Sequence, residues 1–358
     1  MATFTIRHGE NVGTGEADFF HLDSKVGSFS LDGGAGYDTV RINLAFLDEY
    51  SIDNVERLEF YGTWERPKDM YFGFGGEPRF VDFSQTNIRT SISVYSSNST
   101  VIGNGAISLT AVEKSEITTF DMESGAYRGT FDGKTIENTY TNFLNVSARS
   151  GDDTVYGNQF NNLAILGPGK NYFDGRGGLD TFRIQGCPSS YKIEKTSNGH
   201  LISLDRAVTP QSTELVNVER VEFTCYGVRI LAFDLDGAAG QTYRLYQAAF
   251  ARTPDTDGLR HNVKLVDAGM SLHQISSAFI GSAEFIQRYG RTPSDRTYIN
   301  ALYNNVLGRD ADAEGLAGWI GRLSSGTWDR ASVLLGFSES AENKALVGHA
   351  IEKGIWLL

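Results

Sequence analysis

Several short segments place glycine and aspartate where oxygen atoms could surround a divalent cation. Gly33–Arg41 follows the nonapeptide pattern G-G-x-G-x-D-x-U-x, with U apolar, and puts its aspartate at Asp38. Gly151–Val155 and Gly178–Phe182 repeat the later half of that pattern around Asp153 and Asp180, and Gly169–Phe173 is a weaker copy. Gly157–Ile165 keeps the length but loses the second glycine, and Gly13–Phe20 is another degenerate relative. Glycine reaches positive φ, so the backbone can turn sharply and offer its carbonyls to an ion. The aspartate adds a hard carboxylate oxygen, and about six to eight oxygens suit Ca²⁺. The apolar U residue would point inward on a short strand and stack on its equivalent one turn away. One copy gives half a cage, and a neighbouring turn supplies the other half. The same residues admit a second reading, in which the glycines only make turns and the aspartates cap them through side-chain to backbone bonds.

The surrounding sequence says what must position these turns. Leu31–Ile42 returns as Phe173–Ile184, and Asn54–Phe60 returns as Asn217–Phe223, in the same order. The first part therefore reads as a diverged duplication with insertions. It is rich in Gly, Thr, Ser and Asn, with period-2 stretches at Ser91–Tyr95 and Val218–Phe223, which is strand-and-turn composition. After residue 240 the apolar spacing becomes three and four, as in Tyr243, Tyr246, Ala249 and Phe250, then Ile275, Ala278 and Phe279, which is helical. Asp234–Gly240 breaks both periods. The expected organisation is a β-rich domain over 1–234 and an all-α domain over 235–358.

Charge follows the same division. The net charge is -12; from Asp236 onward 12 basic residues meet 13 acidic ones, so nearly all the acidity lies in the β-rich part. Such a field disfavours nucleic acid and anionic membrane and favours cations. No apolar run is long enough to span a membrane, and Met1–Glu10 lacks the apolar stretch of a cleaved export signal.

Leu31–Ile42 and Ala148–Ile184 resemble the RTX (hemolysin-type) calcium-binding repeats of secreted bacterial proteins. The resemblance does not extend over 61–146, and the copies here are few and interrupted. It implies short parallel β-roll or β-helix turns around 31–42 and 148–184. It implies Ca²⁺ held by the carboxylates of Asp38, Asp153 and Asp180 and the carbonyls of Gly34, Gly36, Gly151 and Gly178, with Asp32 and Asp174 as possible helpers. It also implies type I secretion and a place outside the cell or on its surface.

The second part contains two copies of a helical unit at an offset of 57: Tyr246 aligns with Tyr303, Arg252 with Arg309, Asp255 with Asp312, Gly258 with Gly315, Leu259 with Leu316 and Gly269 with Gly326. One residue further on, Phe279–Glu284 aligns with Phe337–Glu342. Each unit reads as helix, Arg-rich turn, helix, glycine stop, helix. Pro254 bars continuation of the helix before it and Asp255 can cap the next. Gly240 to about Gly348 resembles a helical domain of unknown function recurring at the C-terminal end of RTX-bearing and other bacterial surface proteins. Its Arg-x-x-Asp-x-x-Gly-Leu turn is also similar to the phycobilisome-linker domain. Asp310–Gly315 has the beginning of a calcium loop but carries Gly321 where a twelfth-position Glu is needed, so capping with Arg–Asp pairing is the preferred reading.

No linear enzyme motif stands out. Gly336–Ser340 lacks the second glycine of a nucleophile elbow, Gly129–Thr135 is one residue short of a phosphate loop and reads as a hairpin turn, and the six histidines are scattered. Phe60, Tyr61, Trp64, Tyr71, Phe72 and Phe74 could stack on a sugar or anchor a core. Cys187 and Cys225 read as two half-buried thiols or as a pair. The tail Ala350–Leu358 reads as an export signal or as a last helix docked on the bundle. The expectation is a secreted, Ca²⁺-binding surface, matrix or adhesin-like protein without catalysis. Its candidate partners are calcium, a cell-surface glycan and further copies of itself. The alternatives are a polysaccharide-acting β-helix lyase or epimerase and a carbohydrate-binding module.

Overall fold

The computed structural model describes the chain except residues 47–49, 64–70, 75–79, 90, 95–96, 111–114 and 205–210. The chain divides into two compact units, 1–218 and 219–358. The first helix begins at Ala238, and a strand pair at Arg220–Thr224 and Val228–Ala232 is grouped with the helices.

The first unit is built from strands that alternate between sheets. Ala2–Thr5, Asp18–Leu22, Thr39–Asn43, Arg57–Gly62, Phe80–Thr86 and Thr100–Ile102 pair in parallel, in that order. The strands lying between them in the chain pair elsewhere. Gly9–Val12, Phe29–Asp32 and Tyr50–Asp53 form a second parallel ladder. Tyr71–Phe74, Ser91–Val94, Ser108–Thr110, Asn145–Ser147, Leu163–Ile165 and Thr181–Gln185 form a third. Because side chains alternate along a strand, one register position points inward on every rung. Phe20, Val40, Leu58, Val81 and Val101 share such a column, and each is essentially excluded from solvent. The apolar U position, Val40 in the first nonapeptide, is the residue that stacks. Among the described residues of this unit, antiparallel pairing joins strands consecutive in the chain. Ala126–Phe131 and Lys134–Thr141 are joined by Asp132 and Gly133, both at positive φ, which is the two-residue turn that matches strand twist. The phosphate-loop lookalike is therefore a hairpin.

The second unit contains eight helices: α1 (Ala238–Phe250), α2 (Thr256–Asp267), α3 (Leu272–Ile280), α4 (Ala283–Tyr289), α5 (Asp295–Leu307), α6 (Ala313–Ser324), α7 (Arg330–Ser338) and α8 (Ala341–Ile351). The repeat is thus four helices, not three. Ser282 and Ser340 cap α4 and α8 through Phe285 N–H and Asn343 N–H immediately after the preceding helix stops; Gly281 ends α3, whereas Glu339 stands at the same place after α7. Gly269 and Gly326 have positive φ just after α2 and α6. The tail is not a last helix: α8 ends at Ile351, and Ile355–Trp356 is a strand paired antiparallel to Val228–Ala232, so this region is not purely helical. Cys187 and Cys225 are both disulfide-bonded, which overturns the two-thiol reading. Among the described residues no helix is long and apolar enough to cross a membrane.

The caps carry a pH signature. Asp329 caps α7 by accepting the Ser332 N–H at 2.7 Å and faces His273 at 2.9 Å. The Ser332 bonds and His273 hold its carboxyl down at about 2, against roughly 3.9 for a free aspartate. A depressed carboxyl contributes stability above its unfolded pKa and loses it as pH falls through its folded one. Asp329→Ala should therefore cost about 1 kcal/mol at neutral pH. The difference in urea midpoint from wild type should shrink between about pH 4 and pH 2. A constant difference across that range would contradict the charged cap.

Candidate functional site

The turns predicted to hold a cation are built around a ladder of side-chain acceptors. Asp38 precedes the strand Thr39–Asn43 and is fully buried. Its Oδ1 accepts the backbone N–H of Asp18, one turn earlier, at 2.7 Å, and its own N–H donates to Glu56 Oε2, one turn later, at 2.7 Å. The same arrangement recurs downstream with a spacing of 18 residues. Asn162 N–H donates to Asp180 Oδ1 at 2.7 Å, and Asp153 N–H donates to Asn171 Oδ1 at 3.0 Å. Asp153 Oδ1 in turn accepts Ile117 N–H at 3.2 Å. One service of these aspartates is thus to accept backbone N–H groups from the neighbouring turn, as the turn-capping reading required.

What the second polar atom of each rung does separates the turns. An amide offers an acceptor and a donor; a carboxylate only accepts. Asn171 Nδ2 donates to Gly167 O at 2.8 Å and Asn162 Nδ2 to Leu144 O at 3.3 Å, so the asparagine rungs satisfy themselves. Asp18 fills its other oxygen with the N–H and hydroxyl of Thr14 at 2.6 and 2.8 Å, and the Thr14 N–H bond leads in holding its carboxyl below the usual range. Asp38 Oδ2 is buried and has no hydrogen-bond partner among the described residues. It lies beside the α-carbon of Gly33, where a Cβ would collide with both it and the carbonyl of Asn54. Burial, then the charges of Asp18 and Asp32, push the Asp38 carboxyl up against the opposing Asp18 N–H bond. The Asp38 carboxylate oxygen and the Asn54 carbonyl both lie where a Gly33 side chain would be.

The duplication reproduces this surround. Asp32 Oδ1 accepts Gly34 N–H at 3.0 Å and Asn54 Nδ2 at 2.8 Å. Asp174 Oδ1 accepts Arg176 N–H and Asn217 Nδ2, both at 2.9 Å. Asn54 and Asn217 both adopt the left-handed conformation, and Gly175, like Gly33, has an aspartate oxygen and an asparagine carbonyl where its Cβ would lie. Gly34, Gly36, Gly151 and Gly178 all have positive φ. Asp38, Asp153 and Asp180 are not gathered into one site; each serves its own turn. Among the described residues no group of three His, Cys, Asp or Glu side chains is placed to hold a metal. A cation here would therefore rest chiefly on carbonyls. The donors beside Asp38 are hard oxygens, which fit Ca²⁺ in kind: the Asp38 carboxylate and the Asn54 carbonyl would hold it. Asn54, Asn162, Asn171 and the partner carboxylate Asp18 were missed by sequence reasoning. Asp18 and Asn162 lie inside the degenerate nonapeptides, and that was the available signal.

The helical repeats bring their aligned residues together as well. Arg252 forks onto Glu284 at 2.7 and 3.0 Å and reaches Asp255 at 3.4 Å, its guanidinium lying 5.1 Å over the Tyr246 ring. Asp255 caps α2 through Gly258 N–H at 2.7 Å and accepts the Tyr246 hydroxyl at 2.8 Å. In the second repeat Arg309 forks onto Glu342 at 2.7 and 2.9 Å, reaches Asp312 at 3.4 Å and lies 5.0 Å over Tyr303, while Asp312 caps α6 through Gly315 N–H at 2.7 Å. The Asp310–Gly315 loop thus spends Asp312 on a cap and an arginine. Most of the sugar-stacking cluster lies outside the described residues. Phe60 is buried against Phe83, Trp64 lies outside the described residues, and the side chains of Tyr71, Phe72 and Phe74 are not described.

Compared with known families, residues 276–347 match the domain of unknown function DUF4214, covering the end of α3 through most of α8. No RTX repeat family is matched. The chain matches no curated protein.

Proposed function

We propose that the chain is a secreted, calcium-binding surface, matrix or adhesin-like protein, and that its first unit is an RTX-like β-roll whose turns bear Ca²⁺ as structural ions. The reading is carried by the buried Asp38 oxygen, which has no hydrogen-bond partner among the described residues and lies, like the Asn54 carbonyl, where a Gly33 side chain would be. Such an arrangement asks for a cation or a proton, and a divalent ion satisfies both oxygens at once. Asp153 and Asp180, with the Gly151 and Gly178 carbonyls, are the further candidates; Gly175 repeats the Gly33 surround with an Asp180 oxygen and the Asn217 carbonyl. The ion would join turns from different parts of the sequence and stiffen an outward surface. The helical unit would supply contacts to a partner or to another copy.

Calorimetric titration with Ca²⁺ tests this. Wild type should bind, Asp38→Asn should lose the tightest site, and the Asp153→Ala/Asp180→Ala pair should keep it. At a calcium concentration of about 100 Kd the wild type should gain about 2.7 kcal/mol of stability. Absence of heat and an unchanged melting curve in chelator would leave only the turn-capping reading.

A further inference from the structure

The outward face of the first parallel ladder carries a hydrogen-bonded chain that no linear motif announces. Thr5 and His21 are register partners on adjacent strands. Thr5 Oγ1 lies 3.1 Å from His21 Nε2. His21 Nδ1 lies 2.6 Å from Asp23 Oδ2, and Asp23 Oδ1 accepts the Tyr61 hydroxyl at 2.5 Å. Arg41 is the register partner of His21 on the following strand, and its guanidinium lies 4.8 Å over the Tyr61 ring. Glu59 stands next in the same row, 3.9 Å from Arg41. Hydroxyl, imidazole, carboxylate and a further donor orienting the carboxylate are the roles required to activate a hydroxyl nucleophile. The chain joins the strands Ala2–Thr5, Asp18–Leu22 and Arg57–Gly62, with Asp23 just beyond the second, and His21, Asp23 and Arg41 are all reached by solvent.

We infer that Thr5, His21 and Asp23 form an acyl-transfer site that hydrolyses short-chain esters, such as acetyl groups on hydroxyl-bearing polymers. This goes beyond the calcium scaffold and does not depend on it. Thr5 Oγ1 bonds to the acyl carbon while its proton passes to His21 Nε2. The ester C–O bond breaks and the leaving oxygen takes that proton. Water then attacks the acyl-threonine by the same route, releasing the acid and restoring the hydroxyl. Asp23 and Tyr61 are positioning residues that fix the imidazole. Arg41 supplies positive charge on the same row.

The full chain assayed with p-nitrophenyl acetate tests the site. Wild type should turn over, and a trapped acyl group should map to the peptide holding Thr5. Thr5→Val and His21→Gln should each lower kcat by about 100-fold, and Thr5→Ser should retain activity. Asp23→Asn should lower kcat with KM unchanged, and Asp23→Glu should restore part of it. Equal turnover in Thr5→Val and wild type, with circular dichroism unchanged, would overturn the assignment. So would acyl groups on lysines alone, or a wild-type rate no higher than that of free imidazole at the same concentration.

Discussion

Arg220→Ala is expected to destabilise the helical unit by about 3–5 kcal/mol, among the largest effects of any single change in the chain. The Arg220 side chain is 6% exposed and is clamped between two carboxylates. Nη1 donates to Asp234 Oδ1, and Nη2 reaches both oxygens of Asp267 at 3.2 and 3.3 Å. Asp234 also caps the start of α1, accepting Ala239 N–H at 2.9 Å where the cap residue Gly237 has no side chain to offer. Burial pushes the Asp267 carboxyl up, with Arg220 opposing and the Asp234 charge reinforcing. Truncating the arginine leaves two carboxylates facing each other in a poorly hydrated place. The sign of the pH response follows. A raised carboxyl takes up a proton more readily in the folded state, so the penalty should narrow as pH falls from 7 toward the carboxylate range. Urea denaturation at two pH values measures both effects, and a loss below about 1 kcal/mol would mean the clamp is effectively solvated.

This clamp also marks where the sequence was legible and where it was not. Arg220 is the counterpart of Arg57 in the duplicated Asn-Val-Glu-Arg segment. Arg57 lies on an open strand face, pairing with Glu59 at 2.7 Å and covering the Phe80 ring. The duplication could be read from residue identities, but not which copy would be desolvated, because burial is decided by what packs on top. The same limit applies at the candidate ion site. The nonapeptide spacing pointed to a glycine-bent turn before Asp38, but not to the burial of that aspartate. It could not foresee that asparagine would take the paired rung at 162 and 171, since a degenerate motif hides a change from acceptor to acceptor-plus-donor. In the helical part, Arg252, Asp255, Gly258 and Glu284 meet as their alignment with Arg309, Asp312, Gly315 and Glu342 suggested. There the repeat is held by local caps and ion pairs that the sequence writes out directly. The chain joining Thr5 to Tyr61 was invisible, because strand register, not sequence spacing, brings it together.

The pseudo-symmetry of the helical repeats yields the second large effect. Leu259 and Val263 on α2 are 3% and 1% exposed. They sit in a small core with Val347 and Ile351 of α8 and Ile355 and Leu357 of the tail. Their counterparts on α6, Leu316 and Ile320, pack only against the larger core of the bundle and stay half-exposed. The first repeat is covered by the last helix and the final strand; among the described residues no element gives α6 the same cover. Leu259→Ala should therefore cost about 2–5 kcal/mol, because it opens a cavity beneath a fixed lid. Leu316→Ala removes the same atoms from a site that water already reaches, and should cost only about 1 kcal/mol. Sequence alignment assigns the two leucines the same role, so the comparison isolates the cover from the helix that carries it. Deleting residues 354–358 should bring the Leu259→Ala penalty down toward that of Leu316→Ala, since the tail supplies part of the lid. Equal penalties for the two leucines in the intact chain would show that the tail does not seal α2.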